Sequence, residues 1–164
     1  MQKRTAFKLC LAGATAVALN AAPVAVFAKD EPPKVAFVYV SPANEEGWSS
    51  QHDIARKFVE EKFGDKIKVT WIENIPENAD AQRVIRDLAQ QGNKIIFATS
   101  FGYMNSVMKV AKQFPNVYFE HATGYKTSKN VKNYTARFYE GRYLAGMLAA
   151  ATTKTNILLS LIHI

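Results

Sequence analysis

Four short stretches of this chain concentrate the side chains that could do chemistry. Ser41 to Ser49 holds Asn44, Glu45, Glu46 and Trp48, and Thr99 to Tyr103 holds Ser100, Phe101, Gly102 and Tyr103. Glu120 and His121 precede a Thr123-Gly124-Tyr125 turn, and Arg137 to Glu140 follows. These are aromatic planes beside hydroxyls, amides, carboxylates and an imidazole. Such a set stacks on, and hydrogen-bonds to, a flat molecule with polar edges, a nucleobase for example. The candidate ligand-binding residues are therefore Ser41, Asn44, Trp48, Ser100, Gly102, Tyr103, His121 and Glu140. Each also has a plainer explanation. Trp48 can be a packing residue, Ser100 a helix cap, Glu140 a solvated or paired carboxylate, and His121 a satisfied core histidine.

Catalytic patterns are missing from the same residues. The chain contains no G-x-S-x-G elbow, no phosphate loop ending in Gly-Lys-Ser/Thr and no G-x-G-x-x-G. His52 and Asp53 are sequence neighbours, so on a helix they point in different directions and cannot form a relay. No spacing suits a metal site. Cys10 is the single cysteine, and it falls in a segment read below as removed, which leaves no thiol nucleophile or disulfide. The expectation is a binding protein with no cofactor and no metal, not an enzyme.

The elements that must position these stretches alternate between strands and helices. Val35 to Val40 is a continuous apolar run, as in a strand buried on both faces. Ser50 to Phe63 reads as a helix with Ile54, Ala55, Phe58, Val59 and Phe63 on one face and Gly64 as its stop. Ile67 to Ile72 alternates, the pattern of an edge strand. Asn78 or Asp80 caps a helix striped by Ala81, Val84, Ile85, Leu88 and Ala89. Ile95 to Ala98 is a third strand, and Met104 to Ala111 a helix closed by Pro115. Val117 to Phe119 and Val131 to Phe138 are the fourth and fifth strands, and a last helix carries Leu144, Met147 and Leu148. This alternation predicts right-handed crossovers and an α/β fold around a parallel sheet. In such a sheet ligands bind beyond the carboxyl ends of the strands, where the four stretches fall.

Residues 1–28 read as a secretory signal: Lys3, Arg4 and Lys8 precede an apolar run that exits through Val26-Phe27-Ala28. Gly13, Asn20 and Pro23 interrupt that run, which argues against a membrane anchor. The residues before Cys10 are a poor match to a lipoprotein signal. Cleavage after Ala28 is expected, with residues 29–33 a flexible lead-in. The net charge of +7 then drops to about +4, a mild excess that makes no nucleic-acid surface.

Five segments together resemble one family. They are Val35-Ala-Phe-Val-Tyr-Val, Glu46-Gly-Trp-Ser with Gln51-His-Asp, Thr99-Ser-Phe-Gly-Tyr-Met, Phe119-Glu-His-Ala-Thr-Gly-Tyr-Lys and Ala136-Arg-Phe-Tyr-Glu-Gly-Arg-Tyr-Leu-Ala-Gly. They resemble the basic-membrane-protein family of ABC-transporter substrate-binding proteins, which includes purine-nucleoside receptors. The resemblance implies a type I periplasmic-binding-protein fold of two α/β lobes with the ligand clamped between them. It places Trp48 where an aromatic stacks on the purine, and Ser100 and Tyr103 in a loop lining the cleft. Asn44-Glu45-Glu46 departs from the Asp-rich sequence of many relatives, which leaves the exact ligand open.

On this reading residues 34–138 form the N-terminal Rossmann-like lobe, and 139–158 the hinge and first helix of a truncated second lobe. Residues 159–164 match the translation of a transposon-end sequencing adapter and are expected not to be protein sequence. The implied protein is a periplasmic monomer that delivers a purine nucleoside or base to an inner-membrane ABC permease. An extracytoplasmic sensing module and a secreted nucleoside-cleaving enzyme are the rival readings.

Overall fold

The computed structural model describes residues 31–159. The expected signal segment, its cleavage after Ala28, Cys10 and the tail beyond Leu159 lie outside the described residues. Among the described residues five strands run in chain order: β1 (Lys34–Val38), β2 (Lys68–Ile72), β3 (Asn93–Ala98), β4 (Tyr118–Ala122) and β5 (Val131–Tyr134). They form one parallel sheet in the order β2-β1-β3-β4-β5. The helices are α1 (Trp48–Phe63), α2 (Ala79–Gln90), α3 (Met104–Ala111) and α4 (Phe138–Thr152).

Strand position explains strand composition. β1 lies between two neighbours and buries Val35, Ala36, Phe37 and Val38, so its run is unbroken. β2 is an edge, as its alternation predicts, and leaves Trp71 exposed. β4 runs further than expected. Glu120 and His121, expected in the loop beyond it, pair with Phe97 and Ala98 of β3 and with Lys132 and Asn133 of β5. Their polarity hid a strand that its neighbours impose. β5 is shorter than expected because α4 already begins at Phe138.

One face of the sheet is closed by α2 and α3. Asn78 caps α2 by accepting from the Asp80 amide at 2.8 Å, and Ala81, Ile85, Leu88 and Ala89 turn inward as their spacing predicts. They meet Ala36, Val38, Ile96 and Phe119 in the main core. Ile85 is fully buried, which stabilises the fold by about 1.5–3 kcal/mol relative to exposure.

The other face corrects the expectation for α1. The helix buries Ser49, Asp53 and Arg56 and leaves Ile54 and Phe58 exposed. Asp53 accepts from Arg56 Nε at 2.6 Å and from the Tyr39 hydroxyl at 3.4 Å, and pairs with Lys57 at 3.0 Å. Arg56 also reaches Glu60 at 2.6 Å and lies 3.9 Å over the Trp71 ring. Buried charges need such partners, so the pairing partners and not the apolar count decide which side of α1 faces in. Below it Phe37 stacks on Phe97 with ring centroids 4.6 Å apart. Leu144, Met147 and Leu148 of α4 are exposed, and α4 buries no residue among those described.

Candidate ligand-binding site

The carboxyl ends of the strands surround a cavity of about 610 Å³. Trp48, Ser100, Phe101, Thr123 and Thr135 line it, with Glu77 on one side and Phe138 and Arg142 of α4 on another. Trp48 and Phe138 also border an apolar cavity of about 480 Å³ between α1 and the β5 end of the sheet, which Ala55, Tyr134 and Ala136 help to line. The first of the two has the hydroxyls, carboxylate and guanidinium that polar recognition needs, so it is the candidate site.

Trp48 owes its place to Gly47. That residue has φ 121° and ψ −145°, a conformation essentially restricted to glycine, and the chain turns there directly into α1. The Trp48 indole N–H donates to the Thr99 carbonyl at the end of β3. The His52 ring, one turn along α1, lies 4.8 Å from the indole, and the Phe138 ring 5.6 Å. The ring is therefore pinned by its polar edge and remains 38% exposed.

A second set of contacts ties the loop after β2 to the loop after β3. Ser100 Oγ and the Gly102 amide both donate to Glu77 Oε1. The Tyr103 hydroxyl donates to the Ile75 carbonyl at 2.5 Å, and the Ile75 amide to the Tyr39 carbonyl at 3.0 Å. His121 Nε2 lies 2.7 Å from the Ser100 carbonyl. A carbonyl only accepts, so Nε2 carries the proton. Burial, with the nearby Glu77 charge, pushes the Tyr103 phenol well above its ordinary range, so it stays a neutral donor.

The eight candidate residues therefore occupy different places. Trp48 and Ser100 lie on the cavity wall. Tyr103 and His121 are fully buried behind it and hold the loop and the Ser100 backbone in place. Gly102 contributes its amide to Glu77. Ser41 pairs with Ser49 Oγ at 2.8 Å at the entry to α1. Asn44 is exposed in the loop before α1. Glu140 is half-exposed and pairs with Arg137 at 3.2 Å, away from the cavity. Glu77 was absent from the sequence candidates. The strand-end rule reaches it once the edge strand β2 is included, since it lies in the loop that follows.

This chemistry suits reversible capture. Where the imidazoles find hydrogen-bond partners among the described residues, these are backbone carbonyls: that of Trp48 for His52 Nδ1 and that of Ser100 for His121 Nε2. The described residues also contain no cluster of three or more His, Cys, Asp or Glu that could hold a metal.

Residues 33–161 match the family of PnrA-like ABC transporter substrate-binding proteins. The chain belongs to this family. A purine-binding protein of Brucella abortus is 55% identical over 128 residues, which are 78% of this chain and 37% of that protein. A Haloferax volcanii protein, provisionally named an ABC transporter glucose-binding protein, is 40% identical over 74% of this chain and 30% of its own length. The chain thus spans only about a third of the length of the curated relatives it matches. A solute-binding protein of an ABC transporter system from Conexibacter woesei superposes with a TM-score of 0.60 at 22% identity, covering 72% of this chain and 40% of its own. That likeness carries the periplasmic-binding-protein fold. PnrA-like proteins are substrate-binding proteins and not enzymes.

Proposed function

We propose that the chain forms the first lobe of an exported solute-binding component of an ABC importer, and that the cleft at its strand ends takes a purine nucleoside or base. Trp48 carries this reading: an indole fixed by its N–H to the Thr99 carbonyl, beside a cavity with Ser100, Thr123 and Glu77 around it. A ring held this way can stack on a flat heterocycle while the surrounding groups take its polar edge. Trp48 and Ser100 are the proposed contacts, and Ser41, Gly102, Tyr103 and His121 position them. Asn44 and Glu140 are proposed to engage only when a second lobe closes over the ligand.

The purine assignment is supported by the name of the 55% identical relative. A sugar is the competing ligand, favoured by the name of the 40% identical one. The signal segment expected from the sequence supports a periplasmic protein that hands its ligand to a permease in the inner membrane. Among the described residues no helix is long and apolar enough to cross a membrane.

Mass spectrometry of the ligand carried through purification of the full-length receptor tests the assignment. A purine nucleoside or base is expected, and a hexose would replace that reading. Calorimetry with guanosine, inosine and adenosine then tests Trp48. Trp48→Ala should weaken binding by about 1–3 kcal/mol, the range for an aromatic stacked on a base, and unchanged affinity would remove Trp48 from the site.

A further inference from the structure

The carboxylate of Glu77 is unevenly used. Oε1 accepts from both Ser100 Oγ and the Gly102 amide, the latter at 3.1 Å, whereas Oε2 accepts from no group among the described residues. The residue is exposed, yet its carboxylate is held. Ile75, two residues earlier, is tied to Tyr39 and Tyr103, and Asn78 directly after it caps α2. Gly102 permits the approach, since a Cβ there would lie 2.3–2.6 Å from the Glu77 carboxyl atoms. Any other residue at 102 would displace the acid. The result is a fixed, acceptor-only oxygen on the wall of the cavity that Trp48 also lines.

We propose that Glu77 is a specificity-determining residue, its free Oε2 accepting a hydrogen bond from an uncharged N–H or O–H donor of the bound ligand. The proposal rests on the reading of this cavity as the purine site. A hydrogen bond to an ionised acceptor is about twice as strong as a neutral one. A site built around it discriminates sharply against a ligand lacking the donor, because the carboxylate is then desolvated without a partner. The preferred ligands are neutral heterocycles or nucleosides that present an amino or imino N–H, or a sugar hydroxyl, towards the loop after β2.

The test is calorimetry on the full-length receptor with purine nucleosides, their 2′- and 3′-deoxy counterparts, and base-N-methylated analogues. Wild type is compared with Glu77→Gln and with Glu77→Asp, which keeps the charge but withdraws it by one methylene. Both variants should weaken the best ligand by about tenfold or more. The loss should vanish for the one analogue that lacks the contacted donor, and that analogue places the donor on sugar or base. An equal loss across all analogues would reduce Glu77 to loop packing and overturn the proposal, as would unchanged affinity in both variants. If no purine binds wild type, the purine reading fails and this assignment with it. If purines bind wild type and both variants alike, only the assignment of Glu77 falls.

Discussion

α2 and α3 cover one face of the sheet with aliphatic side chains, whereas α1 approaches the other with Asp53 and Arg56 inward and Ile54 and Phe58 outward. The two faces belong to one sheet and bury strand residues of the same kind. The difference lies in what the strands offer each helix. Towards α2 and α3 they present mainly Ala36, Val38, Ile96 and Phe119, with Asn93 at the start of β3 donating to the Leu88 carbonyl of α2. Towards α1 they present the Tyr39 hydroxyl and, at the edge, the flat ring of Trp71, which suit a carboxylate and a guanidinium. A parallel sheet can be covered by area alone or by a few paired charges, and this chain uses both.

The comparison can be broken most directly from the apolar side. Ile85→Ala removes a fully buried side chain from a well-packed core and should cost about 2–5 kcal/mol in urea-unfolding stability. A loss below about 1 kcal/mol would mean that this face is not close-packed. On the polar side, Arg56→Ala leaves Asp53 buried with Lys57 as its remaining cationic partner, and should cost about 3 kcal/mol. The double replacement Asp53→Leu with Arg56→Met should recover most of that loss, because the desolvation penalty disappears with the pair. Failure to recover would show that geometry beyond charge pairing holds α1.

Acid sharpens the contrast by a smaller amount. Burial pushes the Asp53 carboxyl up, but hydrogen bonds and charge from Arg56 and Lys57 outweigh it and hold the pKa below the ordinary carboxylate value. A depressed folded pKa stabilises the fold at pH values above the unfolded value near 3.9, and that contribution is lost as pH falls through the folded one. Unfolding midpoints between about pH 5 and pH 2 should therefore fall more steeply for wild type than for Asp53→Asn. Parallel curves would show that Asp53 does not couple to folding. The smallest effect belongs to the outer side of α1. Ile54→Lys and Phe58→Lys should each change stability by no more than about 0.5 kcal/mol, since both side chains are already exposed. A larger loss would mean that α1 also relies on its outer stripe.

How much the sequence discloses differs between these regions for the same reason. The α2 stripe and the Asn78 cap are local patterns, so they could be read residue by residue. The same logic applied to Ile54 and Phe58 points the wrong way, because the orientation of α1 depends on Tyr39 and Trp71, 15 and 13 residues from these two. Glu120 and His121 looked like loop residues because their strand character comes from the ladders of β3 and β5 and not from their own type. In the candidate site, Trp48 and Ser100 could be placed at strand ends from the pattern alone. Glu77 could not be ranked above the other surface acids without the Ser100 and Gly102 contacts, which join loops 23 and 25 residues apart.

The two indoles of the chain sit in unlike surroundings, and this makes them separate optical reporters. Trp48 borders the cleft with its N–H tied to a backbone carbonyl, and Trp71 lies beneath the Arg56 guanidinium at the far edge of the sheet. Ligand arrival should alter the emission of the first alone, because only the first lines the cavity. Detachment of α1 should alter the second by removing the cation from its ring. In a variant that keeps only one tryptophan, intrinsic fluorescence would then time occupancy or helix docking separately, with no added dye.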